Sequence, residues 1–152
     1  MKNTTLCYIE RDGAYLMLHR TKKVNDENFD KWIGIGGKFE AGESPFDCAR
    51  REIYEETGLI PSSLAYRGVV TFVSDEYGTE YMHLFTCTDF SGDIACSCPE
   101  GELVWVKKDR LSELNLWQGD MIFLDLLDKD TKFFSLKLIY SSDSLISHTL
   151  EY

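Results

Sequence analysis

Glu55 and Glu56 follow Glu52 by three and four residues, a spacing that on a helix puts all three carboxylates on one face. Like charges stacked this way repel one another, by about a few tenths of a kcal/mol for each exposed pair. Such a cluster persists either as a solvated surface or as the seat of a cation. Magnesium suits the second case, because it takes oxygen ligands in octahedral geometry and is commonly shared between carboxylates and substrate phosphates. Taken alone, the segment REIYEET at residues 51–57 reads more readily as a solvated helix face than as a metal site. The surrounding residues carry the distinction: Gly37-Lys38-Phe39-Glu40-Ala41-Gly42-Glu43 leads in, and Gly58-Leu59 closes.

These carboxylates need a helix to align them, and its signals are strong. Ser44 is an N-cap, Pro45 suits the first helical position and Asp47 sits three residues after the cap. Gly58 is a natural C-cap. Phe46, Ala49, Ile53 and Tyr54 supply an apolar stripe away from the glutamates. Ahead of the helix, residues 4–9 and 14–19 read as a hairpin turned at residues 10–13, and residues 20–31 as a polar loop. Residues 32–39 read as a short strand rich in glycine. Behind it, strands are expected at 64–73, 81–87, 103–106 and 133–140, with a second helix at 120–127. Residues 91–101 form a polar connection, and residues 1–140 read as one domain followed by a serine-rich, partly mobile tail at 141–152. Strands mixed with two substantial helices argue for an α/β or α+β sandwich.

Composition narrows the partners. The chain has 152 residues, enough for one well-buried core. Its 16 basic and 26 acidic residues give a formal charge of -10, which repels nucleic-acid backbones and argues against non-specific DNA or RNA binding. A phosphorylated small molecule remains compatible if divalent cations lie between the two sets of negative charges. The five cysteines, Cys7, Cys48, Cys87, Cys96 and Cys98, are odd in number and show no disulfide framework. A reduced, cytoplasmic protein is the simpler reading. Cys96 and Cys98 face no second Cys or His pair, so structural zinc is not expected. No signal peptide or membrane span is visible.

Residues 37–59 resemble the Nudix box in full: Gly37, five residues, Glu43, seven residues, Arg51-Glu52, Ile53, one residue, Glu55-Glu56, one residue, Gly58 and Leu59. The resemblance implies an α/β fold, an α/β/α sandwich in which the box forms a loop, helix and loop beside a mixed β-sheet. It also implies that the carbonyl of Gly37 and the carboxylates of Glu52, Glu55 and Glu56 bind Mg2+, with Mn2+ a possible substitute. Arg51 resembles the arginine that orients the acidic cluster through Glu43. Many family members recruit a further glutamate from outside the box as ligand or base. Glu100 is the first candidate and Glu102 the second, against the alternative that both are solvated turn residues. The reaction implied is metal-assisted hydrolysis of a phosphoanhydride, usually giving a nucleoside monophosphate and pyrophosphate.

The remainder resembles the branch related to MutT and the oxidised purine nucleoside triphosphatases, on KWIGIGGKFEAGESP, Lys22-Lys23 and Leu116-Trp117-Gln118-Gly119-Asp120. That likeness implies that Trp117 stacks on a purine and Asp120 bonds to its edge, with 8-oxo-dGTP as a substrate. Trp117 reads equally as a core anchor, and Lys38 as either a phosphate contact or a surface residue. Two departures stand out. Relatives often have paired aspartates where this chain has Gly119-Asp120, and an asparagine where it has Ile33. ADP-ribose, dinucleotides and unmodified dNTPs are therefore alternative substrates. A non-catalytic nucleotide-binding module is the alternative of another class, and the intact Glu52, Glu55 and Glu56 argue against it. Both a monomer and a homodimer fit.

Overall fold

The structure, a computed structural model, describes residues 1–94, 98–129 and 131–152. The chain begins with β1 (Lys2–Arg11) and β2 (Ala14–Arg20), joined where Asp12 and Gly13 both adopt positive φ, 53° and 74°, as a tight hairpin turn requires. β1 is buried continuously from Thr4 to Ile9. Such a run marks a strand covered on both faces, and β1 indeed runs parallel to β6 (Gly78–Cys87). Its alternate side chains divide the molecule. Leu6 and Tyr8 enter one core, while Cys7 and Ile9 enter the other.

The remaining strands are β3 (Trp32–Ile33), β4 (Ile60–Pro61), β5 (Ala65–Ser74), β7 (Phe90–Ser91), β8 (Gly101–Lys107), β9 (Phe134–Ser141) and β10 (Ser144–Glu151). The main sheet runs β10-β9-β5-β6-β1-β2-β3, with β8 also paired to β2. The β1–β6 and β5–β9 pairs are parallel and the others antiparallel. The short β4 and β7 pair apart from it. Helix α1 (Pro45–Thr57) covers one face through Ala49 and Ile53, and α2 (Asp120–Leu127) covers the other through Phe123, Leu124 and Leu127. This is a mixed-sheet α/β fold with helices on both faces.

α1 begins and ends where its local chemistry dictates. Ser44 Oγ accepts from Asp47 N at 3.1 Å, and Asp47 Oδ2 accepts from Ser44 N at 3.1 Å, a reciprocal capping box. At the other end Gly58 takes φ 80° and returns its N–H to Tyr54 O, the left-handed cap that glycine adopts without strain. Tyr54 itself is 60% exposed and lies outside the apolar stripe expected for it. Only Trp32 and Ile33 of the segment 32–39 form a strand. Beyond them the chain is irregular and touches β1 through single bridges at Ile35 and Lys38.

A second correction concerns the C-terminal segment. Residues 144–151, expected within a weakly patterned tail, form β10 and pair antiparallel with β9. Alternation is blurred because the strand is an edge and its register shifts between Leu145 and Ser147. Leu145 and Leu150 nevertheless pack on the α2-side core. Cys7, Cys48, Cys87 and Cys98 are buried free thiols, while Cys96 lies outside the described residues. Among the described residues no helix is long and apolar enough to cross a membrane. Ending the chain after Ser141 is expected to lower urea-denaturation stability by about 2 kcal/mol, from two half-buried leucines at about 1 kcal/mol each. An unchanged midpoint would show that β10 contributes nothing.

Candidate active site

The glutamates of α1 are organised by one guanidinium. Arg51 donates through Nε to Glu43 Oε2 at 2.7 Å and through Nη2 to Glu43 Oε1 at 2.9 Å, a two-point grip. Its Nη1 reaches Glu52 at 2.8 Å and Glu55 at 3.1 Å, and Nη2 also bonds the carbonyl of Lys38 at 3.0 Å. The Arg51 hydrogen bonds, helped by the N–H of Glu40, hold the Glu43 carboxyl down at about 2. Arg51 thus pins the helix to its leading loop. The loop sits close because it lacks side chains: a Cβ on Gly36 would lie 1.8 Å from Thr5 O, and one on Gly37 would lie 2.7 Å from the Glu52 carboxylate.

Glu56 is the most unusual of the set. It is only 6% exposed and accepts from Gly36 N at 3.1 Å. Burial, reinforced by the Glu100 carboxyl beside it and by the Glu52 charge, pushes its pKa up to about 9. Burial also raises Glu52, against the pull of Arg51. Glu100 is drawn in from the start of β8 by Arg20 at 3.2 Å and Lys23 at 3.5 Å. Gly37 O accepts from Thr5 N at 2.9 Å, with the Cys48 thiol at 3.6 Å.

A cavity of about 470 Å³ connects this cluster to a second group of residues. Glu52, Glu56, Glu100, Gly37 and Lys38 line one part of it, and Trp117, Asp120, Phe72, Met82 and Ile33 another. Trp117 is 6% exposed, packs edge-on against Phe72 and Tyr140, and donates from Nε1 to Asn28 Oδ1 at 2.8 Å. It is therefore both anchored in the core and presented to the cavity. Burial raises Asp120 to about 7, opposed by a backbone hydrogen bond at Trp117 and by the Lys31 charge.

The structure brings Glu52, Glu56 and Glu100 to one wall, with Gly37 and Lys38 beside them. Glu55 stands apart, exposed and paired to Arg51, and neither it nor Glu102 lines the cavity. Sequence reading missed Arg20, which ends β2 and pairs with both Glu100 and Asp26. It also missed Asn28, Lys2, Glu27 and Glu80. Their partners lie between 25 and 89 residues away in sequence, so no local pattern signals them. Among the described residues no three ligating side chains form a ready-made metal cage. The carboxylate oxygens of Glu52 and Glu56 and the Gly37 carbonyl beside them are hard oxygen donors of the kind that suit magnesium.

A family model described as the NUDIX domain matches residues 2–127, and the chain belongs to the Nudix family, as a Nudix pyrophosphohydrolase. Within the family it is MutT-like. It is 31% identical over 153 residues to the oxidized purine nucleoside triphosphate hydrolase of Danio rerio, covering 99% of this chain and 94% of that protein. The Nudix hydrolase YvcI of Bacillus subtilis (strain 168) is 28% identical over 156 residues, covering 99% and 95%. The crystal structure of the MutT protein from Bacillus halodurans superposes with a TM-score of 0.88 at 27% identity, covering 99% and 98%.

Two outcomes follow from the geometry. Arg51→Lys keeps the charge and loses the fork, and is expected to reduce kcat/KM by about 10–100-fold, the usual effect of removing a partner that orients a ligand cluster. Retained activity would show that Glu43 and Glu52 hold their places unaided. The second concerns stability. With a folded-state pKa of about 9 against an ordinary 4.5, Glu56 keeps a proton that the unfolded chain releases. The metal-free protein therefore loses stability as pH rises through that window. Glu56→Gln is expected to flatten the slope and to stabilise the protein at pH 8 in chelator, measured by urea denaturation. A parallel slope in the variant would contradict this.

Proposed function

We propose that this pyrophosphohydrolase acts with Mg2+, for which Mn2+ can substitute, on purine nucleoside triphosphates. Oxidised ones such as 8-oxo-dGTP are included, and the products are the monophosphate and pyrophosphate. The observation that carries the reading is the single cavity shared by the carboxylates Glu52, Glu56 and Glu100 and by the pair Trp117 and Asp120. Its volume falls in the range of small-ligand sites, and similarity to a protein named oxidized purine nucleoside triphosphate hydrolase supports the substrate class. The absence of a membrane-length helix among the described residues and the acidic balance are compatible with a cytoplasmic enzyme of free nucleotides.

In this reading Glu52, Glu56 and the Gly37 carbonyl would hold the metal, with Glu55 supporting from the rim. When bound, magnesium neutralises phosphate charge and lowers the pKa of a coordinated water. Arg51 keeps Glu52 oriented. Glu100, held between Arg20 and Lys23, is positioned to take a proton from the attacking water. Lys38 lines the same wall and meets phosphate. The indole of Trp117 offers a stacking face for the base. Asp120, with its pKa near neutrality, presents either an O–H donor or a carboxylate acceptor to the purine edge. Because Asp120 is buried, a base with the wrong donor pattern leaves it unpaired, and that penalty selects.

The test compares kcat/KM for monophosphate release from 8-oxo-dGTP, dGTP, 2-hydroxy-dATP, dATP and ADP-ribose, with magnesium and with chelator. The expected result is magnesium dependence and an oxidised-over-normal preference of at least about 100-fold, or roughly 2.7 kcal/mol. Asp120→Asn is expected to lose most of that preference. A profile led by ADP-ribose would overturn the substrate assignment while leaving the family chemistry intact.

A further inference from the structure

One side chain holds the proposed base platform and keeps a hydrogen-bonding end that the chemistry so far leaves unused. Asn28 Oδ1 accepts from the Trp117 indole N–H at 2.8 Å, and Asn28 lines the cavity together with Trp117 and Asp120. An indole nitrogen only donates, so the amide atom that faces it is the oxygen. That contact fixes the orientation of the whole amide, with its NH2 group turned away from Trp117. Among the described residues neither N–H of that group donates to a protein acceptor, and the nitrogen is not sealed from solvent. The backbone beneath it is held in place: Asn28 O accepts from Lys31 N at 2.9 Å, and Phe29 N donates to Asp26 O at 3.0 Å.

Few other groups can donate to a base here. Ile33, Phe72 and Met82 are apolar, and Asn28 is the only side-chain amide among the described residues that line the cavity. The cationic side chains are engaged elsewhere: Arg20 and Lys23 with Glu100, Lys2 with Glu27 and Glu80, and Arg51 with the glutamates of α1. Asp120, when ionised, only accepts. The two purines differ at the edge such a pair would read. Guanine sets a carbonyl acceptor at position 6 beside N–H donors at positions 1 and 2, whereas adenine carries an amino donor at position 6 beside an acceptor at position 1. A carboxylate that accepts from the guanine donors leaves the 6-carbonyl in need of a donor, which an amide NH2 supplies.

We infer that Asn28 determines base specificity: its Nδ2 donates to the 6-carbonyl of a purine seated on Trp117 and Asp120, so that guanine-type nucleoside triphosphates are preferred over adenine-type ones. This rests on the proposed seating of the base and names the base which that seat takes. Adenine would set its 6-amino group against the Asn28 NH2, donor against donor, and leave both without an acceptor. Asn28 is half-buried, so water reaches the contact and the discrimination is smaller than in a sealed site. A protonated Asp120 would donate to the adenine acceptor at position 1, and the comparison is therefore made at pH 8, above the Asp120 pKa of about 7.

The experiment measures kcat/KM at pH 8 for dGTP against dATP and for 8-oxo-dGTP against 8-oxo-dATP, on the full chain with magnesium and with ADP-ribose as a control. Each pair keeps the sugar, the phosphates and the oxidation state, and changes only the base edge. The expected result is a guanine preference of at least about tenfold in both pairs. Asn28→Asp keeps an oxygen for the Trp117 N–H and replaces the amide donors with an acceptor, and is expected to lower the guanine-to-adenine ratio by about 10–100-fold. Asn28→Leu, similar in size and without either polar group, is expected to lower the same ratio by about tenfold while slowing every triphosphate. It keeps the comparison open if the aspartate variant does not fold. Equal values for the two bases in the unaltered protein would overturn the inference. So would an unchanged ratio in the variants with all triphosphates slowed alike, the mark of a residue that only braces Trp117. Turnover of ADP-ribose with none of the triphosphates would instead overturn the reading of the site on which the inference rests.

Discussion

The organisation of this enzyme depends on one guanidinium fork set among carboxylates. Without Arg51, the acidic face of α1 would be a stack of like charges with no reason to face the cavity rather than spread into water. Arg51 fixes Glu43 at both oxygens and touches Glu52, Glu55 and the Lys38 carbonyl. It thereby closes the loop ahead of the helix onto the helix itself. The loop is tightly held on both sides: a side chain at Gly37 would meet Glu52 of the helix, and one at Gly36 would meet the β1 backbone at Thr5. Glu56 is buried behind this loop and accepts from the Gly36 N–H; its proton affinity comes from the burial and from Glu100 and Glu52, against the pull of that N–H. The fork, the β1 contacts of the loop and the buried acid thus support one another.

A different solution operates at the other end of the cavity. Asp120 enters from the first turn of α2, where the unsatisfied N–H groups and helix dipole favour a negative charge, yet it lies among apolar neighbours that disfavour one. Gly119 ahead of it donates its N–H to the Tyr140 hydroxyl at 2.6 Å, and a Cβ there would meet that hydroxyl at 2.9 Å. A side chain at 119 would thus crowd the tips of Leu138 and Tyr140, which would have to move aside. The departure from a paired-aspartate pattern leaves those tips where they are.

Local signals in the sequence were strong where the structure is locally determined. Ser44, Pro45 and Gly58 marked α1 at both ends, the spacing of Glu52 and Glu56 gave its chemical face, and the apolar run 120–127 gave α2. Glu100 was legible only through family likeness, since its position against Glu56 is made by β8 pairing with β2. The Lys2, Glu27 and Glu80 cluster was not legible at all. It comes from a parallel register that sets Lys2 beside Glu80, and parallel pairing between distant segments leaves no mark in a short window. β10 was missed for the opposite reason. As an edge strand it has one neighbour and a register shift, so its alternation is too weak to read.

The loop between β2 and β3 ties these parts together. Its Asp26 and the adjoining Arg20 reach the glutamate wall, its Glu27 reaches Lys2, and its Asn28 holds the Trp117 indole. At its base Asp30 pairs with His19. Consecutive residues of one irregular segment therefore touch Arg20 beside the glutamate wall, Lys2 and Trp117 in turn. A displacement of this loop cannot alter one position alone, because Asp26, Glu27 and Asn28 share a backbone that carries no sheet pairing of its own. Glu52 and Glu56 are carried by α1 and Trp117 is anchored in the core, while side chains of this loop reach both ends of the cavity. Substrate selectivity in this fold is consequently easier to change than its chemistry: the loop can be rewritten without disturbing Arg51, whereas the box cannot.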